Sequence, residues 1–282
     1  MTSMKHFIHP WLRSSARRTL TRLFSASLEA AAREQGLGML RDRLRRIVPD
    51  LSDQYSDFQV AGEWLEPKVR TLHAFQVSLI ERVRGEFPHP TIVDIGDSSG
   101  THIRYLRALA EGAPIKSLSV NLDHHAVERI RAKGLDAVHA RAEELEQYNV
   151  SPDIFLCFET LEHLSDPIGF LHSLAQKTTA RYLVLTVPYV AHSRVALRHI
   201  REQRKGAVSA ERTHIFEFSP TDLRLIAQHA GWAIADEQIY LQYPRWHPLR
   251  VLQPLWRQFD CEGFYGMILK RDDTWSKLYA DW

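Results

Sequence analysis

Cysteine is nearly missing from this 282-residue chain, which holds Cys157 and Cys261 alone. Two thiols exclude a disulfide framework and a four-thiolate zinc site, fit a reducing compartment such as the cytoplasm, and read most simply as small buried hydrophobes. Long apolar runs are missing too. No stretch approaches about eighteen uninterrupted apolar residues, so no membrane-spanning helix is expected and any membrane association is a surface matter. There is no internal repeat and no low-complexity tract. What is present is 44% hydrophobic, 25% charged and 10% aromatic residues, a composition that excludes a disordered or fibrous chain.

Acidic residues are absent from Met1 to Leu28, where Lys5, Arg13, Arg17, Arg18 and Arg22 alternate with Phe7, Ile8, Trp11, Leu12, Leu20, Leu23 and Phe24. Residues 1–50 carry a net charge of +6 and the remainder −4, so the basic character belongs to the N-terminus and the main body offers little to a nucleic acid. Three readings of residues 1–28 stay open. They are a helix in peripheral contact with an anionic membrane, a mitochondrial transit peptide, and a solvated helix packed on the main domain.

Helices are expected over residues 29–48 and 64–86. In the second, Trp64, Leu65, Val69, Leu72, Phe75, Leu79, Ile80 and Val83 recur at three- and four-residue steps. After Pro88 and Pro90 the texture changes. Short apolar runs at Thr91–Ile95, Ser117–Asn121, Ala137–Ala140, Ile154–Phe158 and Tyr182–Val187 alternate with helical stretches at 101–111, 124–133 and 167–177. That alternation predicts an α/β fold with a doubly wound, mostly parallel sheet. A helix at 220–230 ends at Gly231, and strands at 234–241 and 263–270, with no long helix between them, are expected to pair antiparallel at one edge.

The first strand runs straight into Gly96-Asp97-Ser98-Ser99-Gly100 and then a helix. Such a turn brings backbone close to a ligand and points helix N-terminal N–H groups at a negative group, which suits a nucleotide-like cofactor. It lacks the G-x-G-x-x-G spacing of nicotinamide enzymes. Glu159, Glu162 and His163 fall at i, i+3 and i+4 past the fourth strand, on the ligand side of the sheet. His214 sits in a segment placed to fold back over the same strand ends. Two carboxylates and two imidazoles can hold a divalent ion.

Val93-Asp94-Ile95-Gly96-(x3)-Gly100, the run Phe158-Glu159-Thr160-Leu161-Glu162-His163-Leu164-Ser165-Asp166-Pro167 and Thr186-Val187-Pro188 together resemble the class I S-adenosylmethionine-dependent methyltransferases over about residues 60–270. The nearest subgroup holds the ubiquinone-biosynthesis O-methyltransferases and the small-RNA 2′-O-methyltransferases. The resemblance implies a seven-stranded Rossmann-like methyltransferase fold over 61–282, with residues 1–60 as a basic, amphipathic helical addition. It implies S-adenosylmethionine as cofactor, with its methionine end over Asp94, Gly96, Asp97 and Gly100, its ribose at Asn121 or Asp123, its adenine near Ala142 and Glu143, and Glu159 beside it. By likeness to the RNA-modifying members, Glu159, Glu162, His163 and His214 would hold a metal, and His163 or His214 would be the catalytic base.

The chain departs from the family at Ser98, where a glycine is usual, and at Arg141, where an aspartate is usual. Those departures keep open a non-catalytic nucleotide-binding or scaffold protein on the same fold. The main expectation is methyl transfer to a hydroxyl of a small molecule, lipid or glycan, with an RNA 2′-hydroxyl as the less favoured acceptor. Tyr55, Trp64, Tyr189, His192, Trp246 and Trp256 are candidates for lining the acceptor pocket, and Arg194, Arg198, Arg201, Arg204 and Lys205 for meeting an anionic acceptor.

Overall fold

Runs such as Ile92-Val93 and Phe155-Leu156 carry apolar side chains on consecutive residues, so both faces of the sheet they form must be covered. The computed structural model describes residues 14–278 apart from 57, 211, 212 and 260. The part of the basic segment from Met1 to Arg13, with Phe7, Ile8, Trp11 and Leu12, lies outside the described residues.

The described chain opens with α1 (Ser14–Glu34), α2 (Gly38–Ile47) and α3 (Leu65–Arg84). It continues β1 (Thr91–Ile95), α4 (Thr101–Leu109), β2 (Lys116–Asn121), α5 (His124–Ala132), β3 (Ala137–His139), β4 (Ile154–Phe158), α6 (Pro167–Lys177) and β5 (Tyr182–Pro188). After a short hairpin of β6 (Arg194–Val195) and β7 (Phe216–Glu217), with α7 (Arg198–Arg201) between its strands, come α8 (Pro220–His229), β8 (Trp232–Leu241), α9 (Gln253–Phe259) and β9 (Gly263–Arg271).

Seven strands form one sheet in the order β3-β2-β1-β4-β5-β9-β8. β1 to β5 are parallel, β9 is antiparallel to β5, and β8 is antiparallel to β9, so the expected antiparallel edge is present. Leu72, Phe75, Ile103 and Leu106 of α3 and α4 cover one face and Phe170, Leu174 and Leu223 of α6 and α8 the other. The chain winds outward from β1 to β3 and then returns to β4 on the other side of β1. The carboxyl ends of β1 and β4 therefore flank the point where the winding reverses, where α/β sheets bind ligands.

The N-terminal helices depart from expectation in one respect. Residues 29–48 suggest a single helix, but Gly36 takes φ +72° and ends α1. The Leu37 N–H bonds the Ala32 carbonyl at 2.8 Å and the Gly36 N–H that of Arg33 at 3.1 Å, the glycine-dependent Schellman close. Phe24 and Leu28 of α1 are buried with Trp64, Tyr243, Leu252 and Trp256 in a satellite core. The Gln35 amide then docks on Leu241, donating to its carbonyl at 2.8 Å and accepting from its N–H at 2.9 Å. This covers part of the exposed edge of β8.

Trp256 joins α1 to the sheet domain. It is fully buried, meets the Phe24 ring edge-on at 4.5 Å, and donates to the Ser27 hydroxyl at 3.2 Å. Trp256→Ala is expected to lower unfolding stability by about 3–5 kcal/mol and to speed amide exchange along α1 while β1 and β4 stay protected. Denaturant titration and hydrogen exchange by mass spectrometry test this, and unchanged exchange in α1 would remove Trp256 as the joint.

Candidate functional site

A carboxylate that cannot reach water must find donors in the protein, and Asp97 finds three. Its Oδ1 accepts the N–H groups of Ser99 at 3.0 Å and Gly100 at 2.8 Å, and its Oδ2 accepts the Ser119 hydroxyl at 2.6 Å. Asp97 therefore builds the turn after β1 with its carboxylate engaged inside the protein, while the residue itself lines the cavity onto which the turn opens. Gly96 and Gly100 sit at φ +84° and +71°. A Cβ at Gly96 would stand 2.1 Å from the Thr160 hydroxyl, so this glycine lets the ends of β1 and β4 close together. Ser98 is outside the left-handed region that would demand glycine, and its hydroxyl accepts from Gln54 at 3.1 Å. Gln54 also accepts the Thr101 hydroxyl at 2.6 Å, so a residue from before α3 clamps the turn.

The turn opens onto a cavity of about 1560 Å³. Single-ligand pockets run from about 300 to 1,000 Å³, so this volume holds a cofactor and an acceptor side by side. Asp94, Gly96, Asn121, Ala142, Glu143, Glu159, Glu162, His163 and His214 all line it. Asp123 does not. Its carboxylate caps α5 by accepting the His125 N–H at 3.0 Å and also accepts the Ser56 hydroxyl, which removes it as the ribose-binding acid. Asn121 stays at the wall, its amide donating to the Asp97 carbonyl at 2.9 Å and accepting the Asp123 N–H at 2.7 Å. Arg141 lies at the rim, 3.6 Å from Glu143.

Asp94 is 2% exposed, and its Oδ2 has no hydrogen-bond partner. Burial, with the Asp97 charge adding to it, pushes its carboxyl up to about 7 against the pull of His102, whose Nδ1 is 3.6 Å away. Behind it His102 meets the Gln76 carbonyl oxygen at 2.9 Å, and Gln76 donates to the Thr186 hydroxyl at 3.0 Å. Gln76 and His102 line the cavity too, and sequence reasoning missed them. The available signal was a set of polar residues on helix faces that are otherwise buried.

The second cluster lies past β4. Glu159 holds φ +49°, a costly conformation for a residue with a Cβ and one that marks strain at this strand end. Glu162 is 1% exposed with neither carboxylate oxygen hydrogen-bonded among the described residues, His163 Nε2 lying 4.0 Å away, and burial, reinforced by the charge of Glu159, raises it well above the usual carboxyl range. The Nδ1 of His163 is within 3.0 Å of the Ala210 carbonyl and 3.1 Å of that of Thr213, which makes it the protonated nitrogen and leaves Nε2 with the lone pair. Burial, then the neighbouring His214, depresses this imidazole to about 4. The His214 Nδ1 faces the Glu217 carboxylate at 3.2 Å, and the two imidazoles meet edge-on with centroids 4.9 Å apart.

The β6–β7 hairpin brings His214 here. The Ile215 N–H bonds the Glu162 carbonyl at 2.8 Å, and Arg194 pairs with Glu217 at 2.6 Å. Burial alone would raise the Glu217 carboxyl, but the bonds from His214 and Arg194 outweigh it and hold it down at about 2. One donor atom from each of Glu162, His163 and His214 lies within 4.8 Å of the others. Glu159 lines the same cavity but is not in that group.

The lid also sorts the basic run. Arg194 is tied to Glu217, and Arg201 donates to the Val195 and Ala196 carbonyls at 2.7 and 2.8 Å. Arg198, Arg204 and Lys205 line the cavity. Of the aromatic candidates, Tyr55, Tyr189 and His192 line it, while Trp64 and Trp256 are core and Trp246 is 85% exposed elsewhere.

The model of a family described as "Methyltransferase domain" matches residues 43–237. Among solved structures, the [4+2]-cyclase SpnF superposes with a TM-score of 0.51 at 13% identity, over 86% of this chain and 97% of that one. The Burkholderia thailandensis 1,6-didemethyltoxoflavin-N1-methyltransferase, with 1,6-didemethyltoxoflavin and S-adenosylhomocysteine bound, gives a TM-score of 0.50 at 14% identity, over 71% and 78%. An Archaeoglobus fulgidus S-adenosylmethionine-dependent methyltransferase gives 0.48 at 17%, over 73% and 97%. No curated protein matches the chain significantly. A cyclase on this fold shows that the fold alone does not dictate the reaction.

Asp94 yields a signed pH dependence. An unfolded chain releases this proton near pH 4 and the folded one near 7, so the wild type is progressively destabilised as pH rises between those values. At about 1.4 kcal/mol per pH unit, about 4 kcal/mol is the upper bound. Relative to Asp94→Asn, which carries no such charge, wild-type stability is expected to fall from pH 4 to pH 7 in parallel denaturant titrations. A constant difference across that range would mean that Asp94 is not buried as described.

Proposed function

The chain belongs to the methyltransferase-domain family, and from that premise we propose that it transfers the methyl group of S-adenosylmethionine to a hydroxyl of an acceptor that carries an acidic group. The observation that carries this reading is the His214–Glu217 pair beside the unpartnered Glu162, inside a cavity with room for two ligands.

The residues present fit the cofactor. Asp94 presents a buried oxygen with no hydrogen-bond partner to the α-ammonium of the methionine end, and that attraction offsets the burial which raises its pKa. Gly96, Asp97 and Ser98 of the turn line the cavity and would lie against the same end, whereas the expected ligand contact at Gly100 is not seen, since it packs against Leu135 and Ile130. Asn121, Ala142 and Glu143 would wall the nucleoside end. When bound, S-adenosylmethionine supplies an electrophilic methyl group on a sulfonium.

The chain then has to align a hydroxyl with that methyl group and take its proton. His214, with Nδ1 donating to an ionised Glu217, has the lone pair on Nε2 and accepts the proton there. Glu217, held ionised by Arg194, stabilises the imidazolium that results. His163, fixed through Nδ1 to two carbonyls, stays neutral beside it and orients the acceptor oxygen. In the segment between β6 and β7, Lys205 lines the cavity together with Arg198, 4.0 Å from Glu217, and Arg204, paired with Glu202 at 2.5 Å, and these cations would meet an acidic group of the acceptor. Their small number favours a small molecule, a lipid or a glycan acid over a polynucleotide.

A second reading has its own support. Histidines that ligate metals donate their other nitrogen to a carbonyl or carboxylate, as His163 and His214 both do, and Glu162 has two oxygens without hydrogen bonds between them and the cavity. Glu162, His163 and His214 would hold a divalent ion such as Zn²⁺, Mn²⁺ or Fe²⁺, which would acidify and orient the hydroxyl. Glu159 would stand just outside that set. The Glu159-x-x-Glu162-His163 run with its later histidine is the feature this chain has in common with the RNA 2′-O-methyltransferases.

Transfer of labelled methyl from S-adenosylmethionine into a cell extract identifies the acceptor. His214→Ala is expected to reduce kcat by about a hundredfold or more while leaving cofactor affinity within a factor of two, and Glu217→Gln to reduce it less. Full activity in His214→Ala would overturn the base. Activity unchanged after exhaustive chelation, with no metal found by elemental analysis, would overturn the ion and leave the base in place.

A further inference from the structure

Trp246 stands 85% exposed in the bend after β8 and Val251 75% exposed on the short 3-10 helix Pro248–Leu252 that follows it, with Leu23 of α1 at 39%. The satellite core seats this segment against α1 through the buried side chains of Phe24, Leu28, Leu252 and Trp256. Arg18 and Arg22 are exposed on α1, and Arg245, His247 and Arg250 on the segment packed against it. The two acids of α1 are engaged. Glu34 accepts the N–H groups of Arg245 at 2.6 Å and Trp246 at 3.0 Å, and Glu29 pairs with Arg33 and Arg41. The two elements together therefore present an upright indole, an aliphatic tip and several guanidinium groups with little opposing charge.

Trp246 and Val251 stand exposed in one short stretch with Arg245, His247 and Arg250, and the acid at its start, Glu34, is engaged by the backbone N–H groups of Arg245 and Trp246. Trp and Leu or Val among Arg is the chemistry of the interface between water and an anionic bilayer, where the ring sits at headgroup level and the cations meet phosphates. No described helix is long and apolar enough to cross a membrane, so attachment through this face is superficial. From Val251 the chain passes through α9 to Arg257, Cys261 and Glu262, which line the large cavity.

We propose that the surface made by the outer side of α1 and the Arg245–Val251 segment docks this protein on anionic lipid bilayers. The docking is independent of the chemistry in the cavity. If the acceptor reading is also right, the acceptor resides in or at the bilayer and reaches the cavity past α9.

The test is sedimentation of the full chain with phosphatidylcholine vesicles, with and without phosphatidylserine. Binding is expected only to the mixed vesicles and is expected to weaken with added salt. Trp246→Ser/Val251→Ser and Arg245→Gln/Arg250→Gln are expected to weaken it about tenfold or more each, without changing the melting temperature or S-adenosylmethionine affinity, since all four side chains are exposed. Absence of binding to phosphatidylserine vesicles overturns the proposal. So does wild-type binding by both variants, which would assign attachment to a part of the chain other than the Arg245–Val251 segment. Concentration-dependent dimerisation lost in Trp246→Ser/Val251→Ser, with no vesicle binding by the wild type, would instead make the face a contact between two copies and would equally overturn it.

Discussion

Satisfaction of the buried Asp97 carboxylate is the interaction on which the rest of the site depends. Taking a carboxylate out of water is costly unless donors replace the solvent, and here two backbone N–H groups of the turn and one hydroxyl of β2 do so. Because the donors are backbone groups, satisfying the charge also fixes the path of the chain from Gly96 to Gly100. The turn in turn determines where β1 ends relative to β4, and Asp94 is left beside it with an oxygen that has no hydrogen-bond partner among the described residues, His102 standing 3.6 Å away.

In the lid, Glu217 takes the cation of Arg194 on one side and the Nδ1 of His214 on the other, and remains ionised despite being 4% exposed. The backbone bond between Ile215 and Glu162 then holds this assembly against the end of β4. His214 is presented by a hairpin of two-residue strands, and His163 by the helical turn after β4. One wall of the cavity is thus built on the strand ends and another on the segment between β6 and β7.

Much of this was legible in the sequence. Alternating apolar runs and helical periods placed β1, β4 and β5 to within a residue, because strands buried on both faces have no alternative pattern to adopt. The glycine turn and the Glu159, Glu162 and His163 spacing were readable because they depend on local geometry. Other parts were not. Asp97 and Asp123 looked like ligand-facing acids, yet one is a turn builder and the other a helix cap, and side-chain type does not distinguish these roles. Gln54, Gln76, His102 and Glu217 carry no local signature, since each acts through a partner brought in from elsewhere in the chain.

The sequence by itself determined the doubly wound sheet and the position of the turn after β1. Backbone preference and hydrophobic period act over a few residues, and these features need no more. The expected single helical turn carrying Glu159, Glu162 and His163 is met only by Glu162 and His163, Glu159 standing before it at φ +49°. Tertiary structure decided which polar atoms remain without a partner, which arginines face inward, and how α1 and the Arg245–Val251 segment pack together. Those outcomes turn on desolvation and pairing between groups such as Gln54 with Ser98, Ile215 with Glu162 and Gln35 with Leu241, separated by 44, 53 and 206 residues. A hydrogen bond across such a separation exists only once the chain has folded, and no local pattern encodes it.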